Sequence, residues 1–304
     1  MSVLPQRGLL FSASASATGP KPTAPWRVRC LAVTTTRAPP ASRPKPLSEA
    51  ATTTSMPSTT PSFLDDPSSL KSTWSHRAWV ACGCTTVFAS LAKSALLAAE
   101  SHSLPGPVLA GWVGYILADL GSGVYHWGID NYGDASTPVV GAQIEAFQGH
   151  HRWPWTITRR EFANNLHALA RAVAFLVLPV DLLCDDAKVL GFVALFSGCI
   201  MFSQQFHAWA HGTKSRLPGA VVALQEAGIL VSRAQHAAHH RTPYNNNYCI
   251  VSGAWNAFLD ENKVFEALEM ALFFRFGLRP RSWDEPSSEW TEDLNATAST
   301  RVDT

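Results

Sequence analysis

Charge is what this sequence has little of. Only 15% of its 304 residues are Asp, Glu, Lys or Arg, and the net charge is +1. Such a chain offers no basic surface for nucleic acid, so no nucleic-acid partner is expected. The six cysteines (Cys30, Cys82, Cys84, Cys184, Cys199, Cys249) contain no CxxC pair. That excludes a disulfide framework, an iron–sulfur ligand set and a haem-attachment motif, and the thiols read as reduced, in a reducing compartment. No HExxH occurs, which removes the zinc-protease reading. No acidic residue precedes Glu49, and no uninterrupted apolar run lies in that stretch. A secretory signal is thereby excluded.

What is present divides the chain. The acid-poor, Ser-rich, Arg-bearing start has the character of an organelle transit peptide. Val28 to Ala32 resembles a chloroplast processing site, so residues 1–33 are expected to be a transit peptide and 34–73 a disordered linker. Residues 282–304, acidic and rich in Ser and Thr, are expected to be a disordered tail, which leaves 74–281 as the folded domain.

That domain is apolar and aromatic, in a chain with eleven Trp and fifteen Phe. Four stretches approach the roughly 20 apolar residues that cross a bilayer: Arg77 to Ala99, Pro105 to about Trp127, Leu166 to Leu183, and Ala187 to about Phe206. The expected fold class is therefore all-α, an integral membrane protein of about four transmembrane helices. Gly111, Gly114, Gly121 and Gly123 suit close packing of the second span. Gly219 to Ser232 is apolar but short, and reads as a surface or interfacial helix. Lys71, Arg77, Arg152, Arg159, Arg160, Lys214 and Arg216 all fall on one side of such a bundle, in accord with the positive-inside rule. For a chloroplast protein that side is the stroma.

Nine of the eleven histidines fall on the same side. His126 lies at the end of the second span, and His150 and His151 form an adjacent pair in the loop after it. His167 opens the third span. His207 and His211 follow the fourth, and His236, His239 and His240 follow those. His76 and His102 have no histidine neighbour in sequence and are set aside. Residues three and four apart share a helix face, so the last three rings could converge on one point. Asp130 follows His126 by one turn, and could ligate a metal or orient a ligating ring through its second nitrogen. Asp119 shares that face; packing against another helix and lining a substrate channel both stay open for it. His126, His150, His151, His207, His211, His236, His239 and His240 are too many for one tetrahedral zinc. They suit two metals, with a non-haem di-iron centre as the best fit and copper as an alternative. The histidine-rich di-metal site is thus expected at the stromal face.

HH, HxxxH and HxxHH boxes after hydrophobic spans resemble the membrane-bound fatty acid desaturases and hydroxylases. Asp119-Leu-Gly-Ser-Gly-Val-Tyr-His126-Trp, Gln148-Gly-His-His-Arg-Trp-Pro-Trp, Ile157-Thr-Arg-Arg-Glu-Phe, His207-Ala-Trp-Ala-His211 and Gln235-His-Ala-Ala-His-His-Arg-Thr-Pro-Tyr narrow this further. They resemble the lipid desaturase domain of the Kua family, over about Trp74 to Arg281. With the plastid-like start, the resemblance is to its plant plastid branch, the phosphatidylglycerol palmitate trans-3 desaturases. It implies a trans double bond between carbons 3 and 4 of palmitate at sn-2 of phosphatidylglycerol. It also implies two iron ions, O2 as co-substrate, ferredoxin as electron donor, and a site facing the stroma of a thylakoid or inner-envelope membrane.

The catalytic and metal-binding residues it implies are His150, His151, His207, His211, His236, His239 and His240. His126 and Asp130 match its early His-x-x-x-Asp element and join the metal set. One departure is the first box, Gln-x-His-His, sparser than in the common acyl-lipid desaturases. For the lipid headgroup, arginine matches phosphate, so Arg152, Arg159, Arg160 and Arg241 are candidates, and Arg152, Arg241 and Tyr244 are the expected headgroup residues. Trp153, Trp155 and Trp209 read as interfacial anchors. A di-iron hydroxylase, a desaturase of another glycerolipid and a membrane metal-binding scaffold remain as alternatives.

Overall fold

The computed structural model describes residues 67–285. The expected transit peptide and most of the expected linker and tail lie outside the described residues. Among the described residues every regular element is a helix. Four are long and apolar enough to cross a membrane: α1 (Trp74–Glu100), α2 (Pro105–Asn131), α5 (Phe162–Leu183) and α6 (Ala187–His211). Between α2 and α5 lie α3 (Gly141–Arg152) and α4 (Thr156–Arg159). After α6 come α7 (Gly219–Glu226), α8 (Arg233–His239), α9 (Asn256–Glu261) and α10 (Val264–Phe276). The segment expected as one interfacial helix is helical only to Glu226 and then turns at Gly228, where φ is +70°.

Two of the four membrane-length helices start where a side chain meets the free backbone N–H groups. Thr73 caps α1 in a capping box with His76, and Asp186 caps α6 by accepting from the N–H groups of Lys188 and Val189. At the same end of the bundle as Asp186, Lys93 pairs with Asp185 at 2.7 Å and donates to the Asp181 carbonyl. The helices pack as α1 on α5 and α6, and α2 on α6. Val80, Val87, Leu166, Ala170, Val173 and Met201 form the core of the first packing. The second is a close crossing: a Cβ on Gly114 would lie 2.6 Å from the Phe192 carbonyl oxygen. Glycine permits that approach, in keeping with the small residues expected there.

Two boundaries differ from the sequence expectation. Pro67 to Thr73, placed in the linker, is ordered against the start of α5. Ser72 N–H donates to the Glu161 carboxylate, and Asn164 donates to the Ser69 and Lys71 carbonyls. At the other end, Ser282 N–H donates to Asn131 and the Trp283 indole donates to Glu269, so the fold runs past Arg281. Glu269 also accepts from Trp127 at 3.0 Å, which ties α10 to α2.

Candidate metal centre

Helices α2 and α6 outlast their apolar stretches by about one turn, and their ends carry the chemistry. α2 runs on to Asn131 and so presents His126 and Asp130 on one face. α6 runs on to His211 and presents His207 and His211 likewise. α3 brings His150 and His151, and is docked by Gln148 donating to the Ile129 carbonyl and by Tyr125 donating to Gln143. α8 brings the last three rings. A capping box between Ser232 and Gln235 fixes its start, and Gln235 donates onward to the Gly253 carbonyl.

The rings assemble into two adjacent groups. One holds His150, His207, His211, His236 and His240; the other holds His126, Asp130, His151 and His239. Within each, the candidate ligand atoms lie within 4.8 Å of one another. In the first group His211 Nε2 lies 2.8 Å from His150 Nε2 and 2.7 Å from His236 Nε2. In the second, one oxygen of Asp130 faces Nε2 of His126, His239 and His151 at 3.2, 3.4 and 3.5 Å. The groups adjoin: the His126 and His207 rings are 5.8 Å apart and those of His239 and His240 5.6 Å.

This corrects one expectation. His236, His239 and His240 do not converge on one point; His239 belongs to the second group. Helix geometry gives the reason. Residues four apart are rotated by about 40°, but adjacent residues by about 100°. Thus 207/211, 236/240 and 126/130 each share a group, while the adjacent pairs 150/151 and 239/240 are split between the two.

Hydrogen bonds fix which nitrogen faces inward. His126 Nδ1 donates to the Tyr248 carbonyl at 2.9 Å and His239 Nδ1 to the Asn246 carbonyl at 2.7 Å. A carbonyl only accepts, so those nitrogens carry the proton and both Nε2 lone pairs point at Asp130. Burial, reinforced by neighbouring imidazoles, holds His150, His236 and His240 well below the ordinary histidine range. Burial likewise lowers His151 to about 3, against the opposing pull of Asp130. Neutral imidazole is the metal-ligating form.

The residues fit metal ions. The buried atoms His126 Nε2, both Asp130 oxygens, His150 Nδ1, both His207 ring nitrogens and His236 Nδ1 have no hydrogen-bond partner. Leaving so many buried polar atoms unpaired is costly. Ligands about 2.1 Å from one ion lie within about 4.2 Å of one another, close to the spacing already present. All-nitrogen and nitrogen–carboxylate sets suit a first-row transition metal.

The remaining expected residues lie elsewhere. His167 joins neither group; it stacks on His76 at 3.9 Å and its Nδ1 donates to the Asn164 carbonyl. Arg152 and Arg241 are exposed, and Tyr244 stacks on the His151 ring at 4.5 Å. Arg159 lies over the Trp155 ring. Asp119 lines no channel: its carboxylate accepts from the backbone N–H groups of Val251, Ser252, Gly253 and Trp255 at 2.8–3.2 Å. Sequence reasoning missed the two backbone carbonyls that orient His126 and His239. No side-chain type marks them; the only signal was the nearby run Tyr244 to Tyr248. It named Arg160 only as one of four arginines that could meet phosphate, and did not foresee that Arg160 lines a cavity of about 300 Å³ together with His150 and His207.

Comparison with known proteins agrees with this geometry. The lipid desaturase domain matches residues 115–283. The chain is 71% identical over 221 residues to fatty acid desaturase 4, chloroplastic, of Arabidopsis thaliana, covering 73% of this chain and 68% of that one. Fatty acid desaturase 4-like 1, chloroplastic, of the same plant is 60% identical over 238 residues, covering 78% and 80%. The mouse plasmanylethanolamine desaturase 1 is 30% identical over 221 residues, covering 69% and 80%. No solved structure matches. With two histidine-rich ligand groups at one end of four membrane-length helices, this chain belongs to the lipid desaturase domain family and is a membrane acyl-lipid desaturase.

Proposed function

We propose that this protein is a chloroplast-membrane di-iron desaturase that introduces a trans double bond between carbons 3 and 4 of palmitate at sn-2 of phosphatidylglycerol. O2 is the oxidant and reduced ferredoxin the electron donor, and the metal groups face the stroma. The observation that carries the chemistry is the pair of adjacent groups, five histidines beside three histidines and Asp130. The likeness to two chloroplastic relatives supports the compartment. The lipid and the bond position rest on resemblance to the plastid branch.

When bound, iron supplies the redox chemistry by which two hydrogens leave neighbouring acyl carbons while two electrons and two protons enter and one O2 becomes two waters. The chain's own part is preorganisation. His126 and His239 keep their outer nitrogens protonated on backbone carbonyls, so their inner lone pairs need no rearrangement. Asp130 contributes the carboxylate of the second group. Phe147 packs against His126 and His207, and Tyr248 against His126 and His239, which excludes water from the inner side of the rings. The trans geometry follows from the acyl conformation that the adjoining cavity holds.

Expression in a host supplying phosphatidylglycerol and plant ferredoxin tests the reading. The expected product is trans-3-hexadecenoate confined to sn-2 of that lipid. A hydroxy acid without alkene, or the double bond on another lipid class alone, overturns it.

A further inference from the structure

The cavity beside the five-histidine group has an uneven charge. It is bounded by α3, α4, the first turns of α5 and the end of α6, and its lining includes His150 and His207. It contains one guanidinium, Arg160, and no carboxylate. Arg160 is half-buried, and among the described residues no carboxylate lies within salt-bridge distance of it. Neighbouring arginines are engaged: Arg77 lies over Trp74 and reaches Glu161 at 4.0 Å, and Arg159 lies over Trp155. A partly desolvated cation without a counter-charge is unfavourable unless a ligand supplies one.

Several other polar groups of the lining are already occupied. Thr156 donates to the Trp153 carbonyl, and Asn165 to that of Ile157. Both donors of Asn164 go to Ser69 and Lys71. Arg160 therefore remains as the charged donor for an incoming group. Ala146, Phe147, Ile157 and Leu169 make the wall largely apolar, and its further polar side chains, Gln143, Gln204 and His167, carry no negative charge. An apolar wall with one cation suits an amphiphile with one anionic centre, and poorly suits a small hydrophilic anion. The volume accommodates a headgroup and the ester end of an acyl chain.

We propose that Arg160 binds the phosphodiester of the lipid substrate and thereby places the ester end of the acyl chain beside His150 and His207. The inference deepens the acyl-lipid desaturase reading and rests on it. Among the arginines that could meet phosphate it selects Arg160 over the exposed Arg152 and Arg241. The guanidinium makes paired charge-assisted hydrogen bonds to phosphate oxygens. Reach into the metal groups then follows from a fixed distance between phosphate and ester.

The test uses the full-length holoenzyme in detergent, with dipalmitoyl phosphatidylglycerol and dipalmitoyl phosphatidylcholine as probes. Lipid retention is read by native mass spectrometry and turnover by product analysis. Wild type should retain the anionic lipid in preference. Arg160→Gln should lose that preference and raise KM about tenfold or more with iron content unchanged. Arg160→Lys should recover part of the affinity, and Arg216→Gln, an exposed arginine, should behave as wild type. Unchanged retention and KM in Arg160→Gln overturn the proposal. If that variant does not fold, equal retention of the two lipids by wild type overturns it instead. Displacement of the lipid by millimolar inorganic phosphate would assign the site to free phosphate and also overturns it. Retention is independent of turnover, so loss of all product with Arg160-dependent retention counts against the desaturase reading alone.

Discussion

Asp119 and Asp130 lie about three turns apart on one face of α2, both almost wholly buried, with 0% and 5% of their surface exposed. By composition they are the same feature, an ionisable residue in a membrane-length helix. Their partners separate them. Asp119 accepts four backbone N–H groups from the 251–255 loop, and neighbouring Ser122 accepts a fifth from Ile250. Neither Asp130 oxygen has a hydrogen-bond partner, while three imidazoles face one of them. A carboxylate whose oxygens are fully engaged by backbone holds structure; one whose oxygens face only lone pairs is waiting for a cation. The two roles connect, since the loop Asp119 secures follows directly on Tyr248, whose carbonyl orients His126.

Substitution should separate the two carboxylates. The largest effect is expected from Asp130→Asn: product falls at least about 100-fold, and metal per folded chain drops from two toward one by elemental analysis, with helicity unchanged. Asp119→Asn should act on folding instead. It puts an amide donor among backbone donors, at a cost of several kcal/mol, roughly 1.5–3 for each charge-assisted bond weakened. Thermal unfolding in detergent should occur at much lower temperature, while the folded fraction keeps two metals. A stable Asp119→Asn protein without metal would erase the distinction.

Acid provides a gentler comparison. In metal-free protein His150, His151, His236 and His240 are held below the unfolded value of about 6.5. Below that pH the unfolded chain binds protons the folded chain refuses, so stability is complete above it and is lost as pH falls toward about 3, the value for His151. Denaturant midpoints between pH 7 and 4 should decline steeply in the metal-free protein; a flat profile would mean the rings are not buried as described. The smallest effect is expected at Tyr244, which touches the second group only by stacking on His151. Tyr244→Phe should be near neutral and Tyr244→Ala should cost about 1 kcal/mol, read as a modest change in metal affinity.

Much of this was legible in the chain itself. Hydropathy placed the four long helices to within a turn, apart from the extra turns of α2 and α6 that carry Asp130, His207 and His211. Those turns are polar, so an apolar window ends before them although the helix does not. The ligand inventory was also legible, because imidazoles in such number at one membrane face have few other uses. Arg160 was harder to read: beside Arg159 and Glu161 it looks like one more charge at a membrane surface, and only the cavity distinguishes it.

By itself the sequence determined the helices and the face that carries the histidines. Spacing rightly paired His126 with Asp130 and His207 with His211, but it also put His239 with His236 and His240, which the structure divides. Tertiary structure alone decided that the rings form two groups, that Asp119 holds a loop while Asp130 faces imidazoles, and that Arg160 meets the cavity. Those outcomes depend on carbonyls, amides and cavity walls from segments more than a hundred residues apart in some cases, such as His126 and Tyr248. A local period records which side chains share a helix face; it carries no record of what a distant segment brings to meet them.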